Sequence, residues 1–124
     1  MSIRRRLRLM THPWRLSVER LARDAALPPP QGEGLFAVVR SQESLTVVRE
    51  AASGTSGTLW RAIEVAGPFP FSESGILAAI AEPLAEAGVS IFAVNSYETE
   101  FVLVQEQDLE RARKALAQVG HLLA

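Results

Sequence analysis

The second half of the chain alternates strand and helix patterns in an order that few folds accept. Residues 59–66, LWRAIEVA, alternate as a strand does, and residues 72–88 have apolar residues at helical spacing. Two more strand patterns, VSIFAVN and EFVLV, precede a helical pattern over residues 108–120. The predicted order is strand, helix, strand, strand, helix.

That order is a ferredoxin-like β-α-β-β-α-β unit without its last strand. Only HLLA follows the second helix, which is too short for a full strand. A strand from the N-terminal half, or from another chain, has to complete the sheet. We therefore predict an α+β fold of the ferredoxin-like type in which two tandem halves are intertwined.

The N-terminal half has strand patterns but no helical one. IRRRLRLM and WRLSVERL alternate, and LFAVVR and SLTVVRE form a predicted hairpin around residues 41–43. The small, flexible segment AASGTSGT marks the boundary between halves. The predicted domains are residues 1–57, mostly β, and residues 58–124.

Both helices have features that define their ends and their buried faces. Ser72 is the predicted N-cap of the first helix, Gly88 its C′ residue, and Pro83 predicts a kink and one lost hydrogen bond. The predicted buried stripes are Ile76, Leu77, Ile80 and Leu84 in the first helix, and Leu109, Ala112, Leu116 and Val119 in the second.

Composition excludes several classes of function. The chain has 124 residues, 48% of them apolar, and no cysteine, which removes thiol chemistry and disulfides. We find no secretory signal or membrane-spanning run, and expect a cytoplasmic protein with no membrane partner. His12 and His121 have no catalytic or metal-ligating neighbours in sequence, so we expect both at the surface, no metal or cofactor, and no enzymatic activity.

The basic N-terminus raises a second possibility. Residues 1–27 carry seven Arg against Glu19 and Asp24, which would suit nucleic acid. The Arg residues, however, alternate with apolar residues and lack an RNA-recognition motif or interleaved aromatics. We favour a solvated strand face and expect no nucleic-acid partner.

The turn NSYETE, residues 95–100, is unusual because a short hairpin turn normally contains glycine. If the segment is extended, Glu98 and Glu100 point to the same side. They could be solvated turn acids, or they could bind the ammonium or guanidinium group of a small ligand. The sequence leaves both readings open.

The loop GPFPFSESGIL leads into the first helix and offers the opposite chemistry. A helix N-terminus presents unpaired N–H groups and partial positive charge, and Gly75 lets a ligand approach the backbone. A plain capped helix is the alternative. Taken together, an anion site and an acidic turn at one sheet edge would suit a zwitterion such as an amino acid.

These residues also resemble a known family. The segments SGILAAIAEPLAEAGVSIFAVNSYETEFVLV and EQDLERARKAL are similar to ACT domains, specifically to tandem ACT-like bacterial proteins. Those proteins resemble the halves of animal cytosolic arginine sensors and the regulatory domains of aspartate kinases. Their signature is roughly I-S-T-[YF]-x-T-D-[FY]-[IV]-L-V. Here Asn95, Ser96 and Glu100 replace its Ser, Thr and Asp.

The resemblance implies a regulatory module, expected to be a homodimer, that binds a free amino acid where two ACT units meet. Glu100 reaches about one methylene further than the family's Asp, which affects the fit of any ligand. The alternative is an ACT module that serves only assembly. The candidate ligand-binding residues are Ser72, Glu73, Ser74, Gly75, Ile76, Asn95, Ser96, Tyr97, Glu98 and Glu100.

Overall fold

The computed structural model describes residues 6–66 and 75–124. The predicted order of elements is confirmed, and HLLA adds a two-residue strand. The elements are β1 Arg8–Thr11, β2 Leu16–Leu21, β3 Ala37–Arg40, β4 Leu45–Glu50, β5 Trp60–Val65, α1 Ile76–Glu86, β6 Ile91–Asn95, β7 Glu100–Gln105, a 3-10 turn Glu106–Asp108, α2 Leu109–Gln118 and β8 Leu122–Leu123.

Strand β5 pairs with three other strands. Strand β7 runs antiparallel along one edge, with Trp60 opposite Gln105. Strands β1 and β2 share the other edge, where Leu9 lies opposite Val65 and Leu16 lies opposite Trp60. Strand β2 also pairs with β4, and β4 with β3, so one continuous sheet includes strands from both halves.

The missing strand of the ferredoxin-like unit comes from the N-terminal half of the same chain. Strand β1 is antiparallel to β5 on the side away from β7, where the last strand of a β-α-β-β-α-β unit belongs. Strand β8 pairs in parallel with β1. The α+β, ferredoxin-like fold is therefore confirmed, and the division at residues 57 and 58 stays a prediction.

Strands β1 and β2 meet β5 in different registers. Thr11 lies opposite Ile63, and Leu16 lies opposite Trp60. Between these two pairs the chain covers five residues from β1 to β2 but only three along β5. The two extra residues are accommodated between the two strands, as in a β-bulge. Side chains alternate between the two faces of a sheet, so an offset of two residues does not exchange the faces. The apolar residues of β1 and β2 therefore still point to a buried face.

The helices cover one face of the sheet around β5. Alternate residues of the strands, among them Leu9, Ile63 and Val102, pack there against α1 and α2. Two predictions about this face are wrong: Leu77 and Val119 are 38% and 37% exposed. The buried helical residues are Ile76, Ala79, Ile80, Pro83 and Leu84 in α1, and Leu109, Ala112 and Leu116 in α2.

A second apolar cluster fills the opposite face. Leu16 and Val48 from the N-terminal half meet Ala62, Phe101 and Leu103 there. This face also holds His12, whose ring stacks on Trp14 at 3.8 Å between centroids and whose Nε2 lies 2.5 Å from Glu64 Oε1. The two halves thus share a core as well as a sheet.

Pro83 and His121 form a matched pair in the helical core. Pro83 has no N–H, so it cannot donate to the carbonyl of Ala79 one turn earlier. The Nε2 of His121 donates to that carbonyl instead, at 2.8 Å, and its Nδ1 accepts from the Leu7 N–H at 3.1 Å. These bonds specify a neutral ring carrying its proton on Nε2.

The prediction that both histidines are surface residues is wrong. His121 is buried, and the side chain of His12 is only 14% exposed. Sequence neighbours could not reveal this, because the hydrogen-bond partners of each ring lie far away along the chain: Glu64 for His12, and Leu7 and Ala79 for His121. No helix in residues 6–66 and 75–124 has the length and apolar character needed to cross a membrane.

Replacing His121 with Phe should destabilise the fold strongly. The change leaves the Leu7 N–H and the Ala79 carbonyl buried and unpaired, at about 1–3 kcal/mol each. In a Pro83→Ala background the new N–H can bond Ala79, so the same change should cost measurably less. Urea unfolding of the two single variants and the double variant measures this coupling. Equal costs in both backgrounds would contradict the pairing.

Candidate functional site

Ser96 closes the turn between β6 and β7. Its hydroxyl accepts from the N–H groups of Glu98 and Thr99 at 3.3 and 3.1 Å, and its own N–H donates to the Thr99 carbonyl at 2.8 Å. No residue other than glycine has positive φ in the described parts of the chain. The serine hydroxyl therefore replaces the usual backbone acceptor, and the turn needs no glycine.

The hairpin between β3 and β4 is closed in the same way. Ser41 accepts from the N–H groups of Glu43 and Ser44, both at 3.2 Å, and its N–H donates to the Ser44 carbonyl at 2.9 Å. The shared pattern Ser-x-Glu-[Ser/Thr] precedes β4 and β7 alike. The repeat is visible in the sequence and would have predicted that both hairpins are closed by a serine side chain.

The two hairpins differ at the residue after the turn. In the first hairpin this position is Leu45, which is fully buried. In the second it is Glu100, whose cross-strand partner is Asn95. Glu100 therefore places a carboxylate where the first hairpin has a core leucine, and the shared turn hydrogen bonds do not explain the difference.

Glu100 points to the helical face of the sheet. Along β7, Val102 and Val104 belong to the apolar cluster under the helices, whereas Phe101 and Leu103 belong to the cluster on the opposite face. Glu100 alternates in phase with Val102 and Val104 and so shares their face. The hydroxyl of Thr99 donates to the carbonyl of Val65 at 2.5 Å, which fixes the turn against the end of β5. In sequence, α1 is the next element after β5.

The carboxylate of Glu100 is partly buried and incompletely paired. Its Oε2 is shielded from solvent and has no hydrogen-bond partner among the described residues. Burial raises the pKa of Glu100 above its ordinary value, because the charged form loses hydration. A partly buried carboxylate with one unsatisfied oxygen and a raised pKa is a feature of functional sites.

The other predicted residues on the turn have different surroundings. The chain bends at Tyr97 and Glu98, so Glu98 does not share a strand face with Glu100, and the paired-carboxylate arrangement is absent. Tyr97 is 75% exposed at the tip. Asn95 is exposed opposite Glu100, on the same face of the sheet.

The helix side of the predicted site is only partly described. Ser72, Glu73 and Ser74 lie outside the described residues, and the N-cap of α1 is Gly75, not the predicted Ser72. Gly75 has φ 86°, in the left-handed region, and open space where a Cβ would lie. Ile76 is 2% exposed and belongs to the core.

Residues 6–66 and 75–124 contain no group of three or more His, Asp or Glu arranged to hold a metal ion.

Thr99 was missed as a predicted contact, although it lies within the quoted motif. Its hydrogen bond to Val65 depends on the pairing of β5 with β7, which local pattern does not specify.

Comparison with known proteins identifies the family. The family model described as ACT domain matches residues 55–118. The matched segment contains β5, both helices, β6 and β7, including the Glu100 turn. The chain therefore belongs to the ACT domain family, whose members are regulatory modules.

The chain is 30% identical over 94 residues to one human protein and to one protein from the orangutan Pongo abelii. Both are named cytosolic arginine sensor for mTORC1 subunit 1. The match covers 66% of this chain but only 29% of the human protein. The chain thus corresponds to under a third of the length of these relatives.

Two solved structures resemble the fold. Protein Atu0741 from Agrobacterium tumefaciens has a TM-score of 0.83 and 28% identity, over 97% of this chain and 93% of its own. VC0802 from Vibrio cholerae, described as a protein of unknown function and possible transport protein, has a TM-score of 0.69 and 25% identity, over 87% of this chain and 85% of its own.

Glu100→Gln should change how stability depends on pH. Because the folded pKa is raised, the native state binds the proton more tightly. Stability due to this group is present below the unfolded pKa, near 4.5, and is lost as pH rises through the folded pKa. As pH rises above 4.5, the free energy of unfolding of Glu100→Gln should therefore increase relative to that of wild type.

Urea unfolding across pH measures this difference. The matched control is Glu110→Gln, because Glu110 is 90% exposed on α2. A Glu100→Gln difference that stays constant with pH would show that the carboxylate is not desolvated.

Ser96→Ala and Ser41→Ala should each destabilise the protein by about 1 kcal/mol, because each change removes a hydroxyl that accepts two backbone N–H bonds. Ser96→Asp retains an acceptor and should recover part of the loss. Chemical denaturation measures all three variants. No loss in either alanine variant would refute the role of the serine hydroxyl in the turns.

Proposed function

We propose that this chain is a non-catalytic regulatory module that binds a free amino acid between two ACT units. The observation that carries the proposal is the Oε2 of Glu100, which is buried and has no hydrogen-bond partner among residues 6–66 and 75–124. An α-ammonium group placed against it would supply the missing hydrogen bond and opposite charge. Asn95, across from Glu100, could bind either polar end of the same ligand.

The start of α1 would bind the ligand's carboxylate. The first helical hydrogen bond runs from the Ala79 N–H to the Gly75 carbonyl at 3.0 Å, so N–H groups earlier in the helix lack helical partners. Those groups and the helix dipole favour an anion. Ser72, Glu73, Ser74, Gly75 and Ile76 are the proposed residues on this side, with Ile76 contributing its backbone because its side chain is buried.

The unit that completes the site would be a second copy of this chain. Strand β6 pairs with β7 alone among the described strands, so its other edge is open. Residues 91–95, IFAVN, contain no charge or proline that would block pairing. A homodimer formed along β6 would bring the partner close to Asn95 and to the turn that bears Ser96, Tyr97 and Glu98.

The relatives support the class of ligand and the location. The matched vertebrate proteins are named cytosolic arginine sensors, and the chain shares 30% identity with them over 94 residues. An amino-acid ligand, a cytoplasmic location and a regulatory role without membrane or nucleic-acid partners are all proposed on this basis. The proposal does not extend to arginine as the specific ligand, because Glu100 replaces the signature's Asp and changes the space at the site.

The test is a thermal-shift screen with the standard amino acids. A ligand present at one hundred times its Kd should stabilise the fold by about 2.7 kcal/mol, which is readily visible as a higher melting temperature. Glu100→Gln should abolish the shift, and the exposed Glu110→Gln should retain it. A response that survives Glu100→Gln would place the ligand elsewhere.

A purely structural module is the second candidate. The use of the Ser96 hydroxyl in turn closure favours it, since that group is already engaged without a ligand. This alternative predicts a dimer by analytical ultracentrifugation and no melting shift with any amino acid. It would also leave Glu100→Gln dimeric.

A further inference from the structure

A separate cavity of about 590 Å³ lies where the sheet of the N-terminal half meets β5. We call it the junction cavity. Its volume is within the range of small-molecule sites, and its lining is mainly polar. The residues that matter for its chemistry are Ser17, Glu19, Gln31, Arg49, Thr58 and Trp60.

Glu19 and Arg49 form an ion pair at this cavity. Arg49 Nε donates to Glu19 Oε1 at 2.9 Å, and Ser17 Oγ donates to the same oxygen at 3.1 Å. Arg49 Nη1 donates to the Pro29 carbonyl at 2.9 Å. The pKa of Glu19 is lowered, chiefly by the Arg49 hydrogen bond, so the carboxylate stays charged. The pair cancels its own charge, and the cavity has no excess charge to recruit an ion.

Several polar atoms remain available to a ligand. Arg49 Nη2 and Glu19 Oε2 have no bond to any described residue, and neither do the side-chain polar groups of Gln31 and Thr58. These are donors and acceptors in mixture. Together, the donor Arg49 Nη2, the acceptor Glu19 Oε2 and the Gln31 amide can bond neighbouring hydroxyls, because a hydroxyl both donates and accepts.

Trp60 adds the apolar component. It borders the cavity and is partly buried, with its ring edge-on to Phe92 at 6.4 Å between centroids. An aromatic residue beside planar polar groups suits a ring that has an apolar C–H face and hydroxyls at its rim. A fully apolar ligand would leave the polar lining unpaired, and an ion would have to disrupt the Glu19–Arg49 pair.

We propose that the junction cavity binds a neutral sugar ring bearing vicinal hydroxyls, either as a free monosaccharide or as the ribose of a nucleoside. The cavity is distinct from the Glu100 site, since it lies on β2, β4 and the segment that precedes β5. The proposal therefore stands or falls independently of amino-acid binding.

The test is a two-dimensional ¹H–¹⁵N NMR titration with D-glucose, D-ribose, adenosine and adenine. Either sugar or adenosine should saturably shift the Trp60 indole N–H and the Thr58 amide signals, and the Trp14 indole should stay in place. The two indole signals are assigned with Trp60→Phe. Shifts with adenosine but not with glucose or ribose would identify the ligand as a nucleoside. Shifts with a free sugar but not with adenosine would identify it as a monosaccharide.

Variants that leave the ion pair intact sharpen the test. Gln31→Ala and Thr58→Val, at exposed positions, should each raise the Kd about tenfold by removing a hydrogen-bonding group. Glu110→Gln should leave it unchanged. The proposal is overturned if neither sugar nor adenosine shifts these signals, or if adenine shifts them as adenosine does.

Discussion

The pairing of β5 with strands from both halves is the constraint on which the rest of the structure depends. Strand β1 supplies the fourth strand of the ferredoxin-like unit, and β2 carries the same edge into the N-terminal sheet. The apolar clusters on the two faces form because this shared edge holds both halves in register. The N-terminal strands therefore stabilise the ACT unit directly, although the family model begins only at residue 55.

Sequence patterns predicted the elements well because each has its own periodicity and its own end signals. The predicted need for a borrowed strand followed from the incomplete β-α-β-β-α order, and β1 meets it. The two-residue shift between β1 and β2 could not be predicted, because it depends on how β5 is shared. The environment of His121 was missed for a similar reason. Pro83 leaves the Ala79 carbonyl without its helical donor, and the ring of His121, which is distant in sequence, bonds to that carbonyl.

The candidate site was predicted in part. Motif and charge singled out Glu100, and the structure adds that its Oε2 is buried and unpaired among the described residues. The lack of glycine in the turn follows from the Ser96 hydroxyl, and Ser41 has the same role in the first hairpin. What sets the second hairpin apart is Glu100 in place of Leu45, so the chemistry of the site is concentrated at one residue.

The most direct test of this account is proton release on ligand binding. Calorimetric titration with the amino acid that stabilises the protein most, slightly above pH 4.5, is repeated in buffers of different ionisation enthalpy. An ammonium group bound to Glu100 lowers the raised pKa of that carboxyl, so wild type should release protons on binding, whereas Glu100→Gln, which loses the ammonium site, should neither bind the ligand nor release protons. Binding without proton release, or with equal release in both proteins, would contradict the assignment of Glu100 as the ammonium site.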